Sequence, residues 1–168
     1  PEYMLRIVDN KYRPIQTGSI GEIIVKPKTH QNLITSGYFK RPKETTKNIR
    51  NGWYHTGDLG RLDEKGNLYY EGRIKDVIRR RGENISAFEI EQTLGQHSAI
   101  KEIIAYGVPS PYTEEDVAVA ITKEHGVSLN ANEVREYCSD RMARYMIPKY
   151  ILFLDELQQT STGKPSKK

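Results

Sequence analysis

Residues 70–84 read Tyr70-Glu71-Gly72-Arg73-Ile74-Lys75-Asp76-Val77-Ile78-Arg79-Arg80-Arg81-Gly82-Glu83-Asn84, an apolar strand pattern broken by closely spaced charges and bracketed by Gly72 and Gly82. Ile74, Val77 and Ile78 are β-branched residues that favour a strand. Arg73, Lys75, Asp76, Arg79, Arg80 and Arg81 would nevertheless put charge on both of its faces. Packing alone does not require that combination, whereas an anion-binding segment does. The competing reading of Arg79-Arg80-Arg81 is a solvated strand edge whose charge discourages edge-to-edge pairing. For Gly82 it is a residue that permits a positive φ ahead of Ser86.

The two sides of this stretch differ in texture. Upstream, Tyr3 to Val8, Gly21 to Lys26 closed by Pro27, Trp53 to Thr56, Leu59 to Leu62 and Leu68 to Glu71 read as short strands. Asp63-Glu64-Lys65-Gly66-Asn67 suits a hairpin turn, and Pro42 fits the first position of a short helix after Arg41. Downstream, helices and strands alternate. Ser86-Ala87-Phe88-Glu89 is a capping box, and Phe88, Ile90 and Leu94 give part of an apolar helical face through to Gln96. Ile100 to Val108 and Val117 to Thr122 read as strands on either side of the turn-rich Pro109-Ser110-Pro111-Tyr112. Asn130 with Glu133 repeats the cap, Val134, Tyr137, Cys138, Met142 and Tyr145 recur at helical spacing up to Pro148, and Tyr150 to Leu154 is a last strand. The fold class is α+β: a β-rich part over residues 1–72, then a smaller unit over 73–168 with a short antiparallel sheet flanked by helices.

With 168 residues, 36% hydrophobic and 29% charged, the chain holds a modest core and is far from the composition of a disordered one. A net charge of +4 suits ligand phosphates and does not demand nucleic acid. A nucleic-acid-binding module would draw on Arg79 to Arg81 and the terminal lysines, but these are not interleaved with a stacking platform. Cys138 is the single cysteine, which excludes an intrachain disulfide and a thiolate zinc site and fits a reducing cytoplasm. His30, His55, His97 and His125 are scattered without metal-ligand spacing, so no metal site is expected. No apolar run approaches membrane-spanning length. The chain opens on Pro1 and directly in a strand-like run, the texture of a piece of something longer.

Three groups could carry chemistry. Trp53-Tyr54-His55-Thr56-Gly57-Asp58 ends a strand with an acid beside a glycine turn, where a carboxylate can accept two hydrogen bonds from a ribose diol; the alternative is an aspartate capping its own turn. The second group is residues 70–84. The third, Gln159-Thr160-Ser161-Thr162-Gly163-Lys164, is not a P-loop, because Gln158 and Pro165 stand where a Walker sequence needs glycine and a hydroxyl residue. A flexible loop that delivers one lysine to a reacting phosphate fits it, and a plain basic tail is the competing reading.

Taken together, Thr56-Gly57-Asp58, Gly72-Arg73-Ile74-Lys75-Asp76, Gly82-Glu83-Asn84-Ile85 with Glu89-Ile90-Glu91, and Thr-x-x-Gly-Lys near the end resemble the adenylate-forming superfamily of acyl-CoA synthetases, peptide-synthetase adenylation domains and firefly luciferase. Gly37-Tyr38-Phe39 and Pro42 extend the resemblance upstream. The Arg-Ile-Lys-Asp and Arg-Gly-Glu-Asn-Ile wording is similar to acyl-CoA ligases of the crotonobetaine/carnitine or fatty-acid type. The resemblance implies the C-terminal part of an ATP-dependent acid–CoA ligase, working with ATP and Mg2+, CoA, a small carboxylic acid and its own N-terminal domain. An adenylation domain that loads a carrier protein is the alternative acceptor class. It implies that Asp58 holds the ribose hydroxyls, that Arg73 adds a contact to sugar or phosphate, and that Tyr70 lies near the adenine. It further implies that Lys75 is the hinge of a rotating C-terminal domain, that Arg79, Gly82 and Asn84 line the CoA passage, and that Lys164 reaches the carboxylate and α-phosphate. Gln158 and Pro165 depart from the family pattern beside that lysine. The phosphate loop, acid pocket and magnesium-binding glutamate would lie upstream of Pro1, so these residues alone are expected to be inactive.

Overall fold

The computed structural model describes residues 2–29 and 34–159. The chain divides into two compact units, Pro1–Lys75 and Asp76–Lys168. The expected α+β class is the one observed.

In the first unit, strands β1 (Tyr3–Val8), β2 (Gly21–Pro27), β3 (Ile49–Arg50), β4 (Trp53–Leu62) and β5 (Leu68–Arg73) form one sheet. Its order is β1-β2-β4-β3 with β5 also on β4, and every pairing is antiparallel. Consecutive residues Ile7 and Val8, and Ile23 and Ile24, are buried, so both faces of this part of the sheet are covered. Local side-chain bonds fix the connections. Asp63 Oδ1 accepts the Lys65 and Asn67 amides at 2.9 and 2.8 Å, closing the β4–β5 hairpin, and helix α1 (Pro42–Asn48) starts at the proline.

The second unit begins with a ribbon of β6 (Val77–Arg80) and β7 (Glu83–Ser86), followed by α2 (Ala87–Leu94). Ser86 Oγ accepts the Glu89 amide at 3.3 Å, the serine half of the predicted box. The helix closes at Gly95, short of Gln96. Next come β8 (Ile100–Pro109), β9 (Glu115–Lys123), α3 (Ala131–Ser139) and β10 (Tyr150–Leu154). Central strand β9 is buried from Asp116 to Thr122 because both of its faces are covered. Val117, Val119 and Ile121 pack in one core with Ile78, Ile85, Ile90, Leu94, Val134 and Cys138, while Ala120 packs with Ile104 and Leu157. The sheet is mixed: β8 and β9 are antiparallel, but β10 runs parallel to β9, since the chain between them crosses over through α3.

The full capping box at Asn130 and Glu133 is present. The helix it starts ends at Ser139 and does not run on to Tyr145. Ser139 Oγ donates to Glu136 O at 2.8 Å and Arg141 Nη1 to Tyr137 O at 3.1 Å, side-chain bonds that satisfy the last carbonyls. Met142 and Met146 still reach the core, Met146 from a separate 3-10 turn at Arg144–Met146.

Cys138 is fully buried, and burial pushes its thiol up to about 11. A thiol with a raised pKa carries almost no thiolate at neutral pH. In native protein at about pH 7.5 iodoacetamide is expected to leave Cys138 unmodified, with one adduct per chain appearing on denaturation; mass spectrometry reads the difference.

Candidate functional site

The Thr56-Gly57-Asp58 motif does not end a strand. Strand β4 runs through it as a bulge: Glu22 pairs with Leu59 and Ile24 with His55, so β4 spends four steps where β2 spends two. Gly57 supplies a φ of +72° for this arch. Thr56 Oγ1 donates to Ile23 O at 2.8 Å and accepts the Asp58 amide at 3.0 Å, replacing ladder bonds that the bulge removes. Glu22 braces the arch from the neighbouring strand. Its Oε1 accepts the Gly57 amide at 3.2 Å, and its Oε2 lies 2.9 Å from Nδ1 of buried His55, which places the imidazole proton on that nitrogen. The Tyr12 ring stands edge-on to His55 with centroids 4.9 Å apart.

The arch sets Asp58 opposite Arg73 across β4 and β5, with Arg73 Nε 3.0 Å from Asp58 Oδ1. That distance gives charge pairing without an aligned hydrogen bond, and the buried Oδ1 has no hydrogen-bond partner. Asp58 therefore does not cap its own turn through this oxygen; Thr56 takes the backbone amide instead. Oδ1 is therefore held inside by the Arg73 charge and not by a directed hydrogen bond, while the side chain as a whole is 26% exposed. Tyr54, in the same strand, has its phenol held above the usual range by its hydrogen bond with Tyr38, by burial and by the nearby negative charges, Asp58 among them.

Behind the arch lies a cavity of about 370 Å³ whose lining includes Tyr12, Glu22, Arg50, His55, Arg73 and Lys75. Arg50 is anchored there, donating from Nε to Lys47 O at 2.8 Å and stacking over Tyr12 at 4.8 Å. Glu22, His55 and Tyr12 escape a reading of the sequence. Glu22 alone leaves a trace, as the single charge inside Gly21-Glu22-Ile23-Ile24-Val25. Tyr70 sits on β5 opposite Gly60 and is 45% exposed. Among the described residues no group of three His, Cys, Asp or Glu side chains is placed to hold a metal ion.

Residues 70–84 are not one strand. β5 ends at Arg73, Ile74–Asp76 form a 3-10 turn, and β6 and β7 make a separate hairpin, so the charges do not alternate across a single pleated ribbon. Lys75 lies in that turn, at the division between the units and three residues past Gly72. In the hairpin, Arg79 pairs with Asn84, its Nε donating to Oδ1 at 3.3 Å. The tip residues Arg81 and Gly82 have φ of +53° and +81°, the consecutive left-handed pair of a tight two-residue hairpin turn. A Cβ on Gly82 would meet no atom of the chain within 4 Å, so backbone conformation is what demands glycine there. Arg79 and Arg81 are exposed, but Arg80 turns inward: its Nη1 donates to Tyr145 O at 2.8 Å, and its Nε lies 3.4 Å from Asp116 Oδ1. Lys149 Nζ donates to the other oxygen of Asp116 at 2.5 Å, and that bond, opposed by burial, holds the Asp116 carboxyl below its usual range. Lys164 lies outside the described residues.

The bulged Thr-Gly-Asp arch beside an arginine and the glycine hairpin that follows it are where the motifs that resemble the adenylate-forming superfamily fall in the fold. Residues 89–164 belong to the AMP-binding enzyme C-terminal domain family, whose model they match. The relatives are acyl-CoA ligases. The long-chain-fatty-acid–CoA ligase of Bacillus subtilis (strain 168) is 39% identical over 144 residues, 86% of this chain and 25% of that protein. The crotonobetaine/carnitine–CoA ligase of Escherichia coli O139:H28 is 32% identical over 163 residues, 96% of this chain and 31% of the relative. The chain thus spans between a quarter and a third of these relatives. Among solved structures, o-succinylbenzoate CoA synthetase from Bacillus subtilis, in complex with its acyl-adenylate intermediate, superposes with a TM-score of 0.88 at 31% identity, over 98% of this chain and 32% of that one.

Proposed function

We propose that these residues are the C-terminal part of an ATP-dependent acid–CoA ligase, acting on a medium- or long-chain fatty acid or a carnitine-type acid. In the first half-reaction a carboxylate attacks the α-phosphorus of ATP, giving acyl-adenylate and pyrophosphate. In the second, the CoA thiol attacks the acyl carbonyl, giving thioester and AMP. The part-exposed carboxylate of Asp58, set opposite Arg73 by the arch, carries this reading, because a carboxylate oxygen open to solvent can accept a ribose hydroxyl. Arg73 adds positive charge beside it, and Tyr70 is assigned to the neighbourhood of the adenine. Phosphate loop, acid pocket and magnesium ligand are assigned to sequence outside these 168 residues, in an N-terminal domain of the same protein. These residues alone are therefore expected to release no AMP.

Lys164 is assigned to the α-phosphate. Charge crowds around one phosphorus atom in the first step, and a single well-placed cation in a water-poor site offsets it. A lysine left over the phosphate would obstruct the thiol, so the unit from Asp76 onward is proposed to turn about Lys75, exchanging the Lys164 face for the face with Arg79, Gly82 and Asn84.

The test uses the ligase that carries this chain, supplied with ATP, magnesium, CoA and a panel of fatty and carnitine-type acids. The wild type is expected to release AMP and form thioester, and an inert panel would overturn the reading. Lys164→Ala is expected to lose ATP–pyrophosphate exchange while still forming thioester from supplied acyl-adenylate. Equal loss of both steps would remove Lys164 from its role.

A further inference from the structure

The β6–β7 hairpin tip is held by a loop thirty residues later in sequence. Glu115 Oε2 accepts the Arg79 amide at 2.8 Å, Thr113 Oγ1 accepts the Arg81 amide at 2.7 Å, and Glu114 Oε2 accepts the same Arg81 amide at 3.0 Å. Thr113 Oγ1 also donates to Glu114 Oε2 at 2.6 Å. Bonds from Thr113, its own amide and the Arg81 and Gly82 amides hold the Glu114 carboxyl below the usual carboxylate range. The room for Glu115 comes from Gly107, where a Cβ would lie 2.5 Å from the Glu115 carboxyl carbon. Three successive functions of sequence therefore converge on one turn: a glycine that clears space, a carboxylate laid over it, and a hydroxyl–carboxylate pair at the tip.

We infer that Glu114 and Glu115 are positioning residues for the second half-reaction, clasping the hairpin by its backbone so that Arg79, Gly82 and Asn84 meet the CoA passage in one fixed geometry. The inference rests on the reading of that hairpin as the CoA-facing element. The Arg81 and Gly82 conformations explain why a clasp is needed. Left-handed φ at a non-glycine residue such as Arg81 is strained, and it persists only where the surroundings over-determine it. Carboxylate acceptors do so strongly, since bonds to a charged acceptor are the stronger class. The clasp engages backbone amides alone and so occupies neither the Arg79 nor the Asn84 side chain.

The ligase carrying Glu114→Ala with Glu115→Ala is expected to lose thioester formation from supplied acyl-adenylate by on the order of tenfold or more, as misplacement of a positioning element does. ATP–pyrophosphate exchange should stay within about twofold, the split that marks loss in one step only. Glu114→Gln with Glu115→Gln, which keeps an acceptor oxygen at each position, should recover most of the loss. Gly107→Ala should reproduce the defect by displacing Glu115. Equal loss in both half-reactions, or none in the second, would overturn the inference. Amide hydrogen exchange in the 168-residue chain separates the clasp from the ligase reading: Arg79, Arg81 and Gly82 should exchange faster in the alanine variant whatever the enzyme does. Unchanged exchange would dismiss the clasp, whereas faster exchange in a protein with no ATP–pyrophosphate exchange would dismiss the ligase reading and, with it, the catalytic role given to the hairpin.

Discussion

Replacing Asp58 by alanine in the ligase is expected to lower kcat/KM for ATP by on the order of a hundredfold, with little change in melting temperature. The magnitude follows from the acceptor. A hydrogen bond to a charged group contributes about 1.5–3 kcal/mol, and a carboxylate that takes two sugar hydroxyls can make two of them. The small stability change follows from the same geometry. Asp58 and Arg73 are paired at 3.0 Å, but their side chains are 26% and 51% exposed, and a pair that open to water contributes roughly 0–1 kcal/mol. Asp58→Asn should fall between alanine and wild type, since the amide retains one acceptor oxygen and loses the charge. Steady-state kinetics against ATP, with a thermal melt as control, check the expectation. An unchanged KM for ATP, or a collapse of the fold, would show that the Asp58 carboxylate is a structural feature and not a sugar acceptor.

Whether a local feature can be read from the sequence, as the caps can and the arch beneath Asp58 cannot, is a matter of where its partners lie. Asp63, Pro42 and the Asn130–Glu133 box act on backbone within four residues, so their turns and caps could be read directly. The Thr56-Gly57-Asp58 arch looks locally like a strand running into a turn. What keeps it in the sheet is Ile23 and Glu22, more than thirty residues away in sequence. Residues 70–84 misled in the same way. Their β-branched pattern reads as one strand, but Ile74 falls in a 3-10 turn and Arg80 turns inward to Asp116, leaving charges that belong to three separate elements. The parallel direction of β10 is set by the crossover through α3, which no single strand records. Thr113 and Glu115 carry no sign of their bonds in the sequence, because the hairpin amides they accept lie more than thirty residues away. Glycine was the reliable marker at Gly57 and Gly82, because positive φ is a local demand.

Ile85→Ala is expected to destabilise the Asp76–Lys168 unit by about 2–5 kcal/mol, and Ile85→Val by about 0.5–1.5 kcal/mol. Ile85 lies on β7 opposite Ile78, each 1% exposed, and both belong to the core that holds Ile90, Leu94 and Ile121. Truncation there removes three carbons from a packed interior that cannot close over the gap, so the cavity adds to the lost transfer energy. Against a total of about 5–15 kcal/mol for a domain this is a large share. Asn84, the next residue, faces outward and is exposed, and its alanine variant should stay within about 0.5 kcal/mol. The hairpin is thus fastened by its inner apolar face and by its backbone, which leaves its outer side chains free to be chosen for a ligand. The only tryptophan, Trp53, lies in the Pro1–Lys75 unit, so its fluorescence does not report on this core. Urea titration followed by far-UV circular dichroism, or amide exchange across Asp76–Lys168, reads the loss. A change below about 1 kcal/mol for Ile85→Ala would mean that the apolar face does not anchor the hairpin, and that its place depends on its polar contacts, those of Arg80 and of the Thr113-Glu114-Glu115 clasp.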